Sequence, residues 1–283
     1  MSEIQDEMSF WDHLEELRWT LFRCIAALMI FAIGAFASIH YLFDYVILAP
    51  CSSDFILYRW MCKVSVYLPF FPDFCDQNFD VTLIQIKMAT QFFTSMSTSF
   101  WIALLLTFPY LMYEVWKFVS PALYPHEQKS VRWVFFFGTI MFFIGCAVGY
   151  FLVFPMTFRF LMTYDLSSDR ILGGVSLESY MDSFLMLIFI MGVIFEMPLL
   201  SWLLSKVGLL NRSFFRKYRR YAIVGLLVLA AFITPSGDPF TLAVVFFPLY
   251  GLYELSAFFV KEPPKEDDEE EEEFDDKVVY PNG

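Results

Sequence analysis

Residues 10–43, FWDHLEELRWTLFRCIAALMIFAIGAFASIHYLF, join a charged segment directly to an apolar stretch. From about Thr20 onward the stretch is long enough to cross a bilayer, which takes about 20 mostly apolar residues in a helix. Just before it stand two adjacent carboxylates, Glu15 and Glu16. Neighbours in a helix point about 100° apart, so only one of the two can face a given groove. They are a candidate site for a cationic partner at the membrane surface; the alternative is interfacial charge paired with Arg18 or Arg23.

The composition outside this stretch is equally apolar. Hydrophobic residues make up 58% of the chain and charged residues only 18%, which excludes an ordinary soluble domain and indicates a polytopic membrane protein. The formal net charge of −12 is concentrated at the end, because residues 261–283 hold eleven acids and three lysines. We expect this acidic tail to be disordered and cytoplasmic. It is either a solvated end or a segment that binds basic partners transiently.

Six apolar runs predict an all-α membrane domain over residues 1–260 with six transmembrane helices. The runs cover about 20–43, 88–113, 131–154, 183–204, 221–234 and 239–260. The fifth spans only about 21 Å against a hydrocarbon core of about 30 Å. It is either a buried or re-entrant element or the site of a locally thinned bilayer. In the third run, Gly138, Gly145 and Gly149 are expected points of close helix approach.

The distribution of Lys and Arg predicts the orientation. With six spans both termini lie on one side, and that side carries thirteen basic residues against four on the other. The positive-inside rule therefore predicts cytoplasmic termini. A basic loop over residues 211–220, with five cations and no acid, contributes most of the difference.

The cysteines and the missing motifs bound the chemistry. The predicted outer loop, about 44–87, contains Cys51, Cys62 and Cys75. Two alternatives remain open: one disulfide bond joins two of the three cysteines, or all three are free thiols. No GxSxG, Walker A or HExxH pattern occurs, and no His or Cys spacing supports a metal. The sequence therefore predicts no enzyme activity, no cofactor and no metal.

Two further carboxylates are candidates for function. Glu127 ends an aromatic, proline-restricted loop, 116–127, that begins at Trp116; taken alone it is a surface glutamate beside a basic stretch. Glu196 lies inside the fourth run, where a charge costs about 3 kcal/mol on insertion scales. It is either hydrogen-bonded to another span or an anchor for a further membrane helix, a proton site or an ion site.

Several ordered motifs resemble the TatC family, the polytopic subunit of twin-arginine protein translocases. The segment from Asp12 to Arg18 resembles the family's H-L-x-E-L-R, and residues 113–127, YEVWKFVSPALYPHE, resemble its first cytoplasmic loop. Further matches are the Ala-Pro at Pro50, the third span over 143–155, Phe-Glu-Met-Pro at 195–198, and Thr234-Pro235 with Asp238. Thr241 and Leu242 depart from the Ser-Gln pair that the family often has there. The resemblance covers about 8–260.

The resemblance implies a concave, glove-like bundle and specific roles. Glu16 and Glu127 match the family's acceptor for the twin arginines of a signal peptide, with Glu15, Arg18 and Phe118 beside them. Arginine suits such a site because its guanidinium makes bidentate bonds to carboxylates. Glu196 matches the intramembrane carboxyl near which single-span TatA- and TatB-like partners dock. Pro50, Pro121 and Asp238 are expected structural or turn positions.

The predicted function is therefore a receptor subunit in the bacterial inner membrane that binds twin-arginine signal peptides of folded precursors. Their export would be driven by the proton gradient, and self-association within the bilayer is expected, with no nucleic acid involved. One alternative is a proton-coupled secondary transporter using Glu196. It predicts a second buried charge or an internal repeat, neither of which is clear. A membrane enzyme would need a nucleophile or a metal cluster.

Overall fold

The computed structural model of the protein describes residues 10–65, 81–119, 128–163, 174–206, 210–234 and 236–260. Apart from two strands of two residues each, the regular structure of these ranges is helical, which confirms the all-α prediction. The α-helices are α1 (Phe10–Ala37), α2 (Ile39–Leu42), α3 (Ile56–Ser65), α4 (Thr90–Val119), α5 (Gln128–Val148), α6 (Phe154–Thr163), α7 (Leu177–Ile194), α8 (Met197–Lys206), α9 (Arg212–Ile233) and α10 (Pro239–Phe259). Strand β1 (Leu83–Ile84) pairs in parallel with β2 (Val175–Ser176).

Five helical segments of the described chain are long and apolar enough to cross a membrane. They are Leu14–Ala37, Thr90–Phe118, Trp133–Thr163, Leu177–Lys206 and Pro239–Phe259. The third is continuous because a single π-helical turn, Gly149–Val153, joins α5 to α6. These segments make the chain an integral membrane protein, and the count of six spans stays a prediction.

The remaining long helix, α9, corrects one prediction. The basic stretch after Asn211 is not a loop but the first part of α9. The side-chain oxygen of Asn211 accepts a hydrogen bond from the backbone N–H of Phe214 at 2.8 Å, which caps the helix. Because Arg, Lys and Tyr are compatible with a helix, the cap sets its start nine residues before the apolar run. Only the second part of α9 is apolar, as the short fifth run predicted.

The long helices pack in an open series. α1 packs along α4, α4 also contacts α5 and α7, and α5 packs against α7. At the other end α10 packs against α6, α8 and α9. Within the described chain, no substantial contact joins α1 to α9 or α10. This arrangement agrees with the wall of helices that the family resemblance implies.

Glycines bring α5 and α7 close together, as predicted. A Cβ built at Gly145 would lie 2.6 Å from the carbonyl oxygen of Met191, and one at Gly149 would lie 3.0 Å from the Cα of Ile188. The contact is equally close on the α7 side, where a Cβ at Gly192 would lie 2.6 Å from Sγ of Cys146 on α5. This contact lies within the main buried cluster, where Phe142, Leu187 and Met191 have no exposed surface.

Buried tyrosines close the end of the bundle where α1 finishes. The hydroxyl of Tyr180 donates a 2.6 Å hydrogen bond to the carbonyl oxygen of Ile47, and that of Tyr58 donates to the carbonyl oxygen of Pro50 at 2.9 Å. The guanidinium of buried Arg159 lies 4.9 Å from the centre of the Tyr58 ring. The chain that follows α1 is thereby fixed to α7 and α3 through its backbone carbonyls.

The cysteines at this end differ in state. Cys62 is disulfide-bonded, whereas Cys51 is a buried free thiol. Burial raises the pKa of the Cys51 thiol, which keeps it protonated and unreactive. Cys75 lies outside the described residues.

Candidate functional site

The carboxylates at the start of α1 have different surroundings. Glu15 pairs with Arg18 at 3.4 Å, and both side chains are largely exposed. Glu16 is half-buried and has no hydrogen-bond or ion-pair partner among the described residues. The two adjacent glutamates thus face different ways, as the 100° step in a helix requires, and within the described part of the chain only Glu15 is paired.

The loop that carries two other predicted residues, Glu127 and Pro121, lies outside the described residues. Its two ends are defined, because α4 ends at Val119 and α5 begins at Gln128. Phe118 is half-buried in the last turn of α4 rather than in a loop. The helix therefore continues farther into the predicted loop than the apolar run indicated.

A partly buried ion pair between α1 and α4 was not singled out from the sequence. Arg23 donates from Nε to Oε1 of Glu114 at 3.0 Å and from a terminal nitrogen to Oε2 at 2.9 Å. The Glu114 side chain is 4% exposed and that of Arg23 37%. Thr20 accepts from the same guanidinium at 3.0 Å, and the hydroxyl of Tyr110 donates to Glu114 at 2.7 Å. Two-point binding with two supporting hydroxyl groups fixes the rotation of both helices.

A weak sequence signal for this pair exists. Arg23 stands just inside the start of the first apolar run, and Glu114 stands just past the end of the second. Consecutive spans run antiparallel, so the two charges reach the same depth on neighbouring helices. Nothing in the spacing of 91 residues specifies that their faces meet, which is why the contact appears only in the structure.

Glu196 lies at the break between α7 and α8. It is 7% exposed, and neither carboxyl oxygen has a hydrogen-bond partner within the described ranges. Pro198 has no N–H to continue the α7 hydrogen-bond pattern, which accounts for the break at this point. On α5, a Cβ at Gly138 would lie 2.9 Å from Oε2 of Glu196. The glycine therefore provides the space that the carboxyl group occupies.

The predicted structural positions are organised as turns or caps. Pro50 is buried in the 3-10 turn Ala49–Cys51. Asp238 caps α10 by accepting from the backbone N–H of Thr241 at 2.8 Å and from the hydroxyl of Ser236. Gly237, at φ 61°, supplies the left-handed conformation that this turn requires. The described residues contain no group of three His, Cys, Asp or Glu side chains that could hold a metal ion.

The fold and these polar groups define a polytopic helical membrane protein that keeps charged side chains between its helices. The family model of the Sec-independent protein translocase protein (TatC) matches residues 12–248. A relative of that name from Blattabacterium sp. subsp. Periplaneta americana is 34% identical over 259 residues, covering 91% of this chain and 97% of its own. The Escherichia coli K12 protein of the same name is 34% identical over 178 residues, covering 63% of this chain and 68% of that protein.

Solved structures agree with the sequence comparison. A crystal structure of the twin arginine translocase receptor TatC superposes with a TM-score of 0.66 at 28% identity, covering 87% of this chain and 97% of that one. A second crystal structure of that receptor, in DDM, superposes with a TM-score of 0.67 at 27% identity, covering 88% of this chain and 99% of that one. The chain therefore belongs to the TatC family, whose members are components of the Sec-independent protein translocase. This is a transport family and not a family of catalytic enzymes.

Proposed function

We propose that this chain is the receptor subunit of a twin-arginine translocase. It binds twin-arginine signal peptides of folded precursor proteins at the cytoplasmic face of the bacterial inner membrane. Together with TatA- and TatB-like single-span partners, it mediates the export of these precursors, which the proton gradient drives. The thirteen-to-four bias of basic residues supports the orientation, with both termini in the cytoplasm.

The observation that carries this proposal is that the Glu16 carboxyl has no partner among the described residues, on the face of α1 that helix geometry turns toward α4. Glu16 precedes Arg23 by seven residues, about two helical turns and about 10 Å along α1, so both lie on nearly the same face. Arg23 contacts Glu114 of α4, and the same face therefore directs Glu16 toward the end of α4. Glu15 is on a different face and already pairs with Arg18.

A second acceptor follows from the chain connectivity. Glu127 immediately precedes Gln128, the first residue of α5, and α4 ends at Val119, five residues after the Glu114 that pairs with Arg23 of α1. Both ends of the intervening segment thus belong to the end of the bundle where Glu16 lies. Two carboxylates at one end can each accept a guanidinium through two parallel hydrogen bonds, which lysine cannot reproduce.

Glu196 is proposed as the contact for a partner helix. A buried carboxyl group with unsatisfied oxygens is costly inside a membrane. A polar group on an approaching TatA- or TatB-like helix would relieve that cost by hydrogen bonding. The break after Ile194 and the missing side chain at Gly138 make room for the carboxyl group. An unbroken helix packed against a larger residue would not leave this space.

The test is export of a folded reporter carrying a twin-arginine signal peptide. Glu16→Gln keeps the size of the side chain but removes its charge, and export should fall at least tenfold. Glu15→Gln is the matched control and should export at the parental rate. Site-specific crosslinking of the signal peptide near Glu16, with a lysine-lysine peptide as control, reads binding directly. Undiminished export by a Glu16→Gln/Glu127→Gln variant would refute the receptor role.

The unsatisfied carboxyl of Glu196 also keeps one alternative function open, a proton-coupled secondary transporter. A single variant distinguishes the two functions. Glu196→Gln should impair protein export if the residue contacts a partner helix. Loss of solute uptake with intact export would favour the transporter.

A further inference from the structure

We propose that Glu114 is a positioning residue for twin-arginine binding: it neutralises Arg23 and holds it away from the Glu16 acceptor. The inference rests on the proposed function, since it concerns access of a signal-peptide arginine to Glu16. It starts from the two-point ion pair between Arg23 of α1 and Glu114 of α4.

Arg23 is a permanent cation near the proposed site. It lies about 10 Å from Glu16 along α1 and on nearly the same helix face. Left unpaired, it would repel an incoming guanidinium at this distance. The repulsion corresponds to a loss of affinity of about tenfold at an effective dielectric constant near 20, and about twofold in bulk water. An arginine built into the receptor therefore has to be neutralised for the acceptor to keep its preference for the peptide.

The geometry around Glu114 provides this neutralisation. Its two carboxyl oxygens accept from two different guanidinium nitrogens at 3.0 and 2.9 Å. The hydroxyl groups of Tyr110 and Thr20 complete the arrangement, the first donating to the carboxylate and the second accepting from Arg23. The guanidinium is thus held toward α4, and its rotation back toward the start of α1 would break three hydrogen bonds.

The same pair also fixes α1, which carries Glu16, against α4. Glu114 stands five residues before Val119, where the segment leading to Glu127 begins. α4 is the principal helical neighbour of α1, and few other contacts therefore define the position of Glu16. With a simple structural clamp the loss of affinity would follow the loss of stability, whereas neutralisation makes loss of Glu114 the more harmful change for binding. This asymmetry separates the two roles.

The experiment measures Kd of a fluorescent twin-arginine signal peptide for the full-length chain in lipid nanodiscs. Glu114→Gln should weaken binding about tenfold, because it leaves Arg23 uncompensated. Arg23→Gln should weaken it much less. The Arg23→Gln/Glu114→Gln double variant should recover most of the loss, since the unpaired cation is gone. Glu114→Asp, which keeps the charge, should bind nearly as well as the parent.

Thermal unfolding of the same samples provides the structural readout. Both single glutamine variants break the ion pair and should lower the midpoint. Arg23→Gln should lower it at least as much as Glu114→Gln, because it leaves the Glu114 carboxylate, 4% exposed, without its cation. Glu114→Gln should nevertheless cost more affinity. Equal affinities for the two single variants without recovery in the double variant would reduce the pair to a clamp and overturn the proposal. So would an unchanged Kd in folded Glu114→Gln protein, provided that Glu16→Gln still weakens binding. If Glu16→Gln has no effect, the receptor proposal fails as well.

Discussion

Gly145 of α5 lies directly against the backbone of Met191 of α7, with space for a hydrogen atom but not for a methyl group. A Cβ there would lie 2.6 Å from the Met191 carbonyl oxygen and 2.7 Å from the Cβ of Phe195. Because one of the opposing atoms belongs to the backbone, a side-chain adjustment cannot relieve the overlap. The separation of the two long helices therefore depends on this position, together with Gly149 and Gly192.

Gly145→Ala should destabilise the protein by about 1–3 kcal/mol, the usual cost of overpacking a core. The measurement is thermal unfolding of the purified protein in detergent. Gly225→Ala in α9 is the matched control, since nothing lies within 4 Å of its Cβ position. Equal midpoints for the two variants would show that the α5–α7 contact is looser than described.

Tyr180→Phe should cost about 1–3 kcal/mol of stability, because it leaves the buried carbonyl oxygen of Ile47 without its donor. Tyr150→Phe removes a similar bond of 2.8 Å to the carbonyl oxygen of Val46, but in a place where solvent reaches it. That variant should lose less. Chemical denaturation of both proteins compares the two costs, and a larger effect at Tyr150 would contradict the assignment of burial.

Asp238→Ala should destabilise the start of α10 by about 1 kcal/mol through loss of the N-cap. Desolvation acts to raise the pKa of Asp238, but hydrogen bonds from Ser236 and Thr241 together outweigh it and hold that pKa below its usual value. The stabilisation is therefore present above the unfolded-state pKa, about 3.9, and is lost as the pH falls through the lowered folded-state pKa. Unfolding measured from pH 6 down to pH 2 should show this loss. Asp238→Asn keeps a capping oxygen and should lack the pH dependence.

Glu196→Leu should leave the isolated chain as stable as the parent or more stable. An unsatisfied buried carboxyl group contributes an unfavourable term, and an apolar side chain of similar size removes it. Co-purification of TatA- and TatB-like partners should nevertheless decrease, because the proposed contact is gone. A marked fall in the unfolding midpoint would instead indicate that Glu196 is satisfied within the chain, as a structural bond to another span.

The elements that sequence predicted well are those set by local pattern. Apolar runs located the helices, and small residues within one run located the approach of α5 to α7 at Gly145 and Gly149. The cap at Asp238 follows from residue type at a turn. The separation of Glu15 from Glu16 follows from the 100° step between neighbours in a helix.

What the sequence did not show depends on contacts between distant segments. Arg23 and Glu114 are separated by 91 residues, and their pairing requires the rotation of two helices about their own axes, which hydropathy leaves undefined. The bond from Tyr180 to the carbonyl oxygen of Ile47 spans 133 residues and uses a backbone acceptor present in any sequence. The start of α9 was missed because polar residues can continue a helix once Asn211 caps it.

The open series of helices, with α1 at one end and α9 at the other, has a consequence for the permeability of the membrane. A closed ring would surround a conduit, and an internal gate would have to prevent ions from leaking through it. An open series surrounds none, so the seal against leakage at rest comes from the lipid along its two faces. Under the proposed function, any passage for a folded cargo is then assembled during transport from these helices and the protein or lipid that faces them, and it disappears when they separate.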